Sequence, residues 1–107
     1  MISYLRGKII YRANTSIILD VQGVGYKVFL ADKTLQKLQN VNEAEIFCSL
    51  YAREGGTIEL YGFLSAETLQ LFTTLQGISG IGPKAALVLS SLGSTDQLKK
   101  AIEEKDV

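Results

Sequence analysis

The apolar residues of this chain change their period once, near residue 64, and that change dictates a β-rich first part and a helical second part. Before it they alternate: Ile17, Leu19 and Val21, then Val24, Tyr26, Val28 and Leu30, then Ile46, Cys48 and Leu50, then Ile58 and Leu60. A period of two belongs to strands with one buried face, and the opening "ISYLRGKIIY" adds a fifth strand. Short glycine-bearing turns at Gln22-Gly23 and Gly55-Gly56 join strands two to three and four to five as hairpins. Between strands three and four, Asp32 predicts a helix N-cap, with Leu35 and Leu38 spaced for one short helix. Five strands with a helix between the third and fourth make the pattern of an OB-fold barrel. That barrel binds nucleic acid in some proteins and is a plain scaffold in others, so it does not decide function.

From Ser65 the spacing is helical. Ser65 caps a predicted helix whose apolar face is Thr68, Leu69, Leu71, Phe72 and Leu75. In the next helix Ala85, Val88, Leu89 and Leu92 recur at i, i+3, i+4 and i+7 and are expected to face inward. Gly93 ends it, and Ser94-Thr95-Asp96-Gln97 is a capping box starting a third helix with Leu98, Ala101 and Ile102 inward. The expected architecture is α+β: a five-stranded OB-fold barrel over residues 1–64 and a small all-α unit over 65–107. That unit is too thin to stand alone and should lean on the barrel or on further chain.

Composition narrows the function classes. Eleven basic residues balance eleven acidic ones, so no global charge marks a binder of nucleic acid or membrane surface. Neither side of Phe63 carries more than one net charge, so any charged patch must be made by folding. The chain has no histidine, which removes the commonest general base and metal ligand, and its single cysteine, Cys48, cannot build a zinc site. No catalytic residue, metal or cofactor is expected. Cys48 within an apolar alternation reads as core filler in a reducing compartment, and no apolar run approaches a membrane span. The expected location is cytoplasmic, with no membrane partner.

One stretch carries chemistry. "LQGISGIGPKAALVLS", residues 75–90, sets three glycines and the only proline between two helices. Gly77 ends the first helix, Gly80 and Gly82 allow a tight turn with φ > 0 and close approach, and Pro83 suits a first helical turn. Backbone amides near Gly80, Ile81 and Gly82 would then face a phosphate, with the Lys84 ammonium beside them. The dipole contribution is modest, about 0.3–1 kcal/mol per exposed charge, so one hairpin should hold a backbone weakly and read no bases. Ile78 and Ile81 can pin the turn between the helices. A glycine-rich turn can also be a mere connection, but this order is narrower than that. It is not a Walker loop, since Gly82-Pro83-Lys84 continues into Ala85 rather than Ser or Thr and no strand precedes it, and its spacing excludes the dinucleotide fingerprint.

The arrangement resembles the helix-hairpin-helix module, which binds DNA backbone without regard to base sequence. "MISYLRGKI", "VQGVGYKV" at 21–28, "AREGGTIELYGF" at 52–63 and "GISGIGPKAALVLS" at 77–90 are together similar, in order and spacing, to the RuvA family of bacterial Holliday-junction proteins. The similarity extends over essentially all 107 residues. It implies a non-catalytic DNA-binding subunit in recombination and repair that assembles as a homotetramer on four-way junction DNA. It also implies partnership with the RuvB ATPase and the RuvC resolvase. Gly80, Ile81, Gly82, Pro83 and Lys84 take the DNA-contacting positions, and Glu54 takes the position of an acidic pin at the crossover. A second acidic position, usually aspartate in the family, is Gly55 here. The family's second hairpin and C-terminal RuvB-contacting domain are not in these 107 residues, so the expectation is an N-terminal fragment or natural truncation. Four linked weak hairpins can gain about 10²–10⁴ in avidity, which partly reconciles DNA binding with zero net charge. Arg6, Lys8, Arg12, Lys27 and Lys84 are candidates for a DNA-facing side. The aromatic residues Tyr26, Tyr51, Tyr61, Phe29, Phe47 and Phe63 suit core or subunit interface. Two rivals stand: an oligomeric protein-interaction platform without junction preference, and an anion- or nucleotide-binding enzyme.

Overall fold

The computed structural model describes residues 1–78 and 80–92. Five strands, β1 (Tyr4–Arg12), β2 (Ser16–Val21), β3 (Val24–Phe29), β4 (Glu43–Ala52) and β5 (Ile58–Phe63), close into a barrel in the order β1-β2-β3-β5-β4. All pairs are antiparallel except β3 with β5, the parallel pair that the intervening helix α1 (Asp32–Lys37) makes possible. This is the expected OB-type barrel. The β2–β3 turn has Gln22 at φ 53° and Gly23 at φ 91°, the doubly left-handed hairpin that matches strand twist.

The alternation fills the barrel as its period dictates. Ile17, Leu19, Val28, Ile46 and Cys48 are almost wholly excluded from solvent, and Leu5, Leu30, Leu38, Ala44 and Leu60 complete that core. Burial pushes the Cys48 thiol up to about 11, so it stays a neutral packing group. Val24 and Ile58, members of the same alternation, are exposed instead. They sit at strand ends beside the two hairpin turns, beyond the section where the barrel walls face one another.

The short helix differs from expectation in its cap. Ala31 is the N-cap, and Asp32 is the first helical residue, where its carboxylate meets the positive end of the helix without a capping hydrogen bond. Arg12 serves the other end, donating from its guanidinium to the Leu38 carbonyl at 2.6 Å and the Val41 carbonyl at 2.5 Å.

Helices α2 (Ala66–Gln76) and α3 (Pro83–Ser90) lie on the outside of the barrel. Ser65 caps α2 as expected, accepting from the Thr68 amide at 3.1 Å. The seat for the helices is β5. Leu60 and Gly62 point into the barrel, while Tyr61 and Phe63 point outward into a second core with Ala31, Phe72, Leu75, Ala86 and Leu87. Phe72 is completely buried, with its ring centroid 5.7 Å from Tyr61 and 4.8 Å from Phe63, and Phe29 lies 5.8 Å from Tyr61. Such tilted aromatic pairs add about 0.5–1.5 kcal/mol each beyond their burial.

The inward face of α3 corrects the sequence reading. Ala86, Leu87 and Ser90 are buried, whereas Ala85, Val88 and Leu92 are exposed and Leu89 is half-buried. The segment Ala85–Leu89 is apolar throughout, so periodicity alone selects no face. Packing selects the one with small residues, since Ala86 and Ser90 let α3 come close to its neighbours. The capping box at 94–97, Gly93, and the third helix with Leu98, Ala101 and Ile102 lie outside the described residues.

Gly62 marks a place where side chains of the barrel interior pack tightly. A Cβ there would stand 2.5 Å from Val28 Cγ1, 2.6 Å from Ile46 Cγ2 and 2.7 Å from Leu30 Cδ2, and two of these belong to stiff β-branched side chains. Gly62→Ala should therefore lower stability by about 1–3 kcal/mol through overpacking, read as a fall in the urea midpoint with unchanged slope.

Candidate nucleic-acid interface

The turn between α2 and α3 is built from its sequence. Gly77 caps α2 with right-handed backbone, φ −73°, and the Ile78 amide donates to the Leu75 carbonyl at 3.1 Å. Ile78 and Ile81 pack against the second core, anchoring the turn from below as their apolar character predicts. Gly80 has φ 87° and open space where a Cβ would stand, so it supplies the left-handed residue of the turn. Gly82 does not share that conformation: at φ −81° and ψ 174° it is extended, and it too has nothing within 4 Å of a Cβ position.

Pro83 opens α3, and the first intrahelical bond runs from the Ala86 amide to the Gly82 carbonyl at 3.0 Å. The amides of Lys84 and Ala85 therefore precede the hydrogen-bonded ladder and point out of the helix start. Gly82 makes no side-chain cap and the first turn holds no acidic residue, so no side chain of α3 itself offsets its positive end. The Ile81 amide, expected to face a ligand, donates instead to the Ile78 carbonyl at 3.2 Å. Among the donors, the sequence reading missed the backbone amides of Lys84 and Ala85; the signal was Pro83 itself, since the residues after a proline at the first helical position are the ones whose amides remain.

The β4–β5 hairpin carries the second predicted site. Arg53 N–H donates to the Thr57 carbonyl at 2.8 Å and closes a turn in which Glu54, Gly55 and Gly56 are exposed, with both glycines near φ 90°. Glu54 stands on this tip. Below it, Arg53 Nε donates to Glu59 Oε1 at 2.5 Å, and the Tyr61 hydroxyl donates to the same oxygen at 2.8 Å. These hydrogen bonds, that of Arg53 foremost, hold the Glu59 carboxyl below its ordinary range, and the ammonium of Lys84 adds a weaker pull in the same direction. Burial, followed by the bond to Glu59, raises the Tyr61 phenol. Glu59 was not singled out from sequence, where it is one more outward residue on a strand.

The remaining candidate cations are dispersed. Arg6 lies opposite Glu45, and Lys8 opposite Glu43 on one side and Asp20 on the other. Arg12 holds α1, and Lys27 lies 5.1 Å from the Phe29 ring centroid. Phe29, Tyr61 and Lys84 line one cleft of about 460 Å³ between the barrel and α3. Phe29 thus neighbours Lys27 and shares a cleft with Lys84, while Arg6 and Lys8 sit among carboxylates on β1. Tyr61 and Phe63 are core, and Phe29 and Tyr51 pack against them.

A family model for the RuvA N terminal domain matches residues 1–62. Among curated relatives, a Holliday junction branch migration complex subunit RuvA from Acetivibrio thermocellus is 37% identical over 108 residues, spanning 100% of this chain and 53% of that protein. The protein of the same name from Halothermothrix orenii is 41% identical over 98% of this chain and 54% of its own length. That from Rickettsia bellii is 42% identical over 99% of this chain and 52% of its own length. The chain spans about half the length of the curated relatives it matches.

The depressed Glu59 carboxyl gives a pH signature. Its folded-state value is lowered, so the stabilisation is fully present above the ordinary value of about 4.5 and is lost as pH falls toward the folded-state value. Glu59→Gln removes it, so the gap in thermal midpoint between wild type and variant should be constant near neutrality and shrink below pH 4.5. An equal gap at pH 6 and pH 3 would count against the ion pair.

Proposed function

The chain belongs to the RuvA family, and on that premise we propose that it is a non-catalytic DNA-binding subunit that recognises four-way junctions in branch migration. The observation that carries this reading is the uncapped start of α3. There Gly80 is left-handed, Gly80 and Gly82 have nothing within 4 Å of a Cβ position, and Pro83 leaves the amides of Lys84 and Ala85 ahead of the helical ladder, an arrangement suited to a phosphate. Contacts of this kind position a duplex and carry no base information. Each is weak, so recognition of a junction requires several copies, and a homotetramer with four-fold arrangement of hairpins matches the symmetry of four arms.

In that assembly Glu54 stands at the crossover. Its carboxylate repels phosphate and keeps strands apart while the helix starts hold the arms, a division of labour that local charge permits in a chain of zero net charge. The name these relatives share, branch migration complex subunit, supports action within a complex, and the RuvB ATPase and RuvC resolvase are the proposed partners. Among the described residues no helix is long and apolar enough to cross a membrane. A cytoplasmic site of action follows from the proposed substrate.

A gel shift comparing a synthetic four-way junction with linear duplex tests the reading: a preference for the junction is expected, and equal or absent binding at every concentration favours the rival protein-interaction platform. Lys84→Ala should weaken both DNAs alike and reduce the salt slope of log K by about one. Gly82→Ala offers a sharper test. Its backbone is open to any residue, so folding stability should stay within about 0.5 kcal/mol of wild type, while the added methyl stands where DNA must approach and lowers affinity for both substrates.

A further inference from the structure

The hairpin between β4 and β5 contains a cation next to its exposed carboxylate. Arg53 directly precedes Glu54, and between residues 53 and 59 the charged residues are Arg53, Glu54 and Glu59. A free arginine in that position would be the natural partner of Glu54 and would cancel the charge at the tip. The structure holds it elsewhere. The guanidinium is bound to Glu59 through Nε at 2.5 Å, reaches the Tyr61 hydroxyl at 3.4 Å and lies 5.7 Å from the Tyr51 ring centroid. Arg53–Glu59 is the ion pair found among the described residues, and Glu54 takes part in none there.

We propose that Glu59 is a positioning residue for the hairpin: it holds Arg53 against Tyr51 and Tyr61, away from Glu54, so that the tip presents an unneutralised carboxylate. The proposal rests on the reading of Glu54 as the crossover group. The anchor is rigid for a reason visible in the packing. Tyr61 is 1% exposed, wedged between Phe29, Tyr51 and Phe72, so its hydroxyl cannot follow the hairpin, and Glu59 accepts from that hydroxyl and from Arg53 through the same oxygen. The second core beneath the helices thereby fixes where the hairpin's positive charge lies. Counting the three charged side chains, the hairpin carries −1; without Glu59 it carries 0, with Arg53 free to turn to Glu54.

The experiment is strand opening at the crossover, read as the fluorescence of 2-aminopurine placed at the junction centre, with each protein at a concentration shown by titration to saturate the junction. Wild type should raise the signal, and Glu54→Gln should lose most of that rise. Glu59→Gln should lose at least half of it, and Arg53→Gln/Glu59→Gln, which returns the hairpin to −1, should recover it. Arg53→Gln alone, at −2, should equal or exceed wild type, and this arm stands even if Glu59→Gln fails to fold. A Glu59→Gln signal equal to wild type overturns the proposal. So does a double variant as low as Glu59→Gln, since that would make the ion pair a structural strut, and so does a loss in Arg53→Gln. A wild-type protein that leaves the probe unchanged, or a Glu54→Gln variant indistinguishable from wild type, sinks instead the crossover role of Glu54.

Discussion

From Leu60 to Phe63, strand β5 is buried on both faces, and the rest of the molecule is arranged around that constraint. Its inward residues, Leu60 and Gly62, close the barrel, and its outward residues, Tyr61 and Phe63, are the floor on which α2 and α3 rest. A six-residue strand of this kind cannot move without disturbing two cores at once. The turn at the head of α3 and the β4–β5 hairpin are therefore both referenced to the same short element, although nearly thirty residues of chain separate them. Gly62 shows how little slack the arrangement has: three side chains crowd the place of a single methyl.

Electrostatics in this protein is a matter of placement rather than amount. With equal numbers of acids and bases, affinity for a polyanion depends on which charges are left uncompensated and where they point. On β1 the cations face carboxylates across the ladder, Arg12 is engaged with backbone carbonyls, and Arg53 is engaged with Glu59. The helix start at Gly82–Ala85 and the carboxylate of Glu54 are among the groups not engaged in this way, one attractive to phosphate and one repulsive. The proposed function uses both signs, one to grip duplex arms and the other to hold their strands apart.

The barrel was legible because a closed sheet with one buried face imposes a strict period of two, and glycine turns of recognisable type mark its corners. The helix-hairpin-helix was legible because glycine and proline have few alternatives at such a junction. Where the reading went astray, the local signal was degenerate. Every residue from Ala85 to Leu89 is apolar, so the chain offers several helical faces, and only the proximity of Tyr61 and Phe72 chooses the one carrying Ala86, Leu87 and Ser90. Asp32 has the chemistry of an N-cap but sits one residue inside the helix, a shift that hydrogen-bond geometry decides and residue type does not. The Ile81 amide was assigned to a ligand because sequence does not reveal that Ile78 accepts from it.

The sequence by itself determined the order of the parts, a barrel and then a helical hairpin, together with the residues at which that hairpin turns and its second helix begins. It did so because backbone period and the conformational limits of glycine and proline are properties of neighbours along the chain. Tertiary structure alone decided which face of α3 is buried, which amides at its head remain outward, and that Arg53 belongs to Glu59 rather than to Glu54 beside it. Those outcomes depend on contacts between strands and helices brought together only when the chain closes, and an arginine side chain is long enough to choose among carboxylates that the linear order ranks differently.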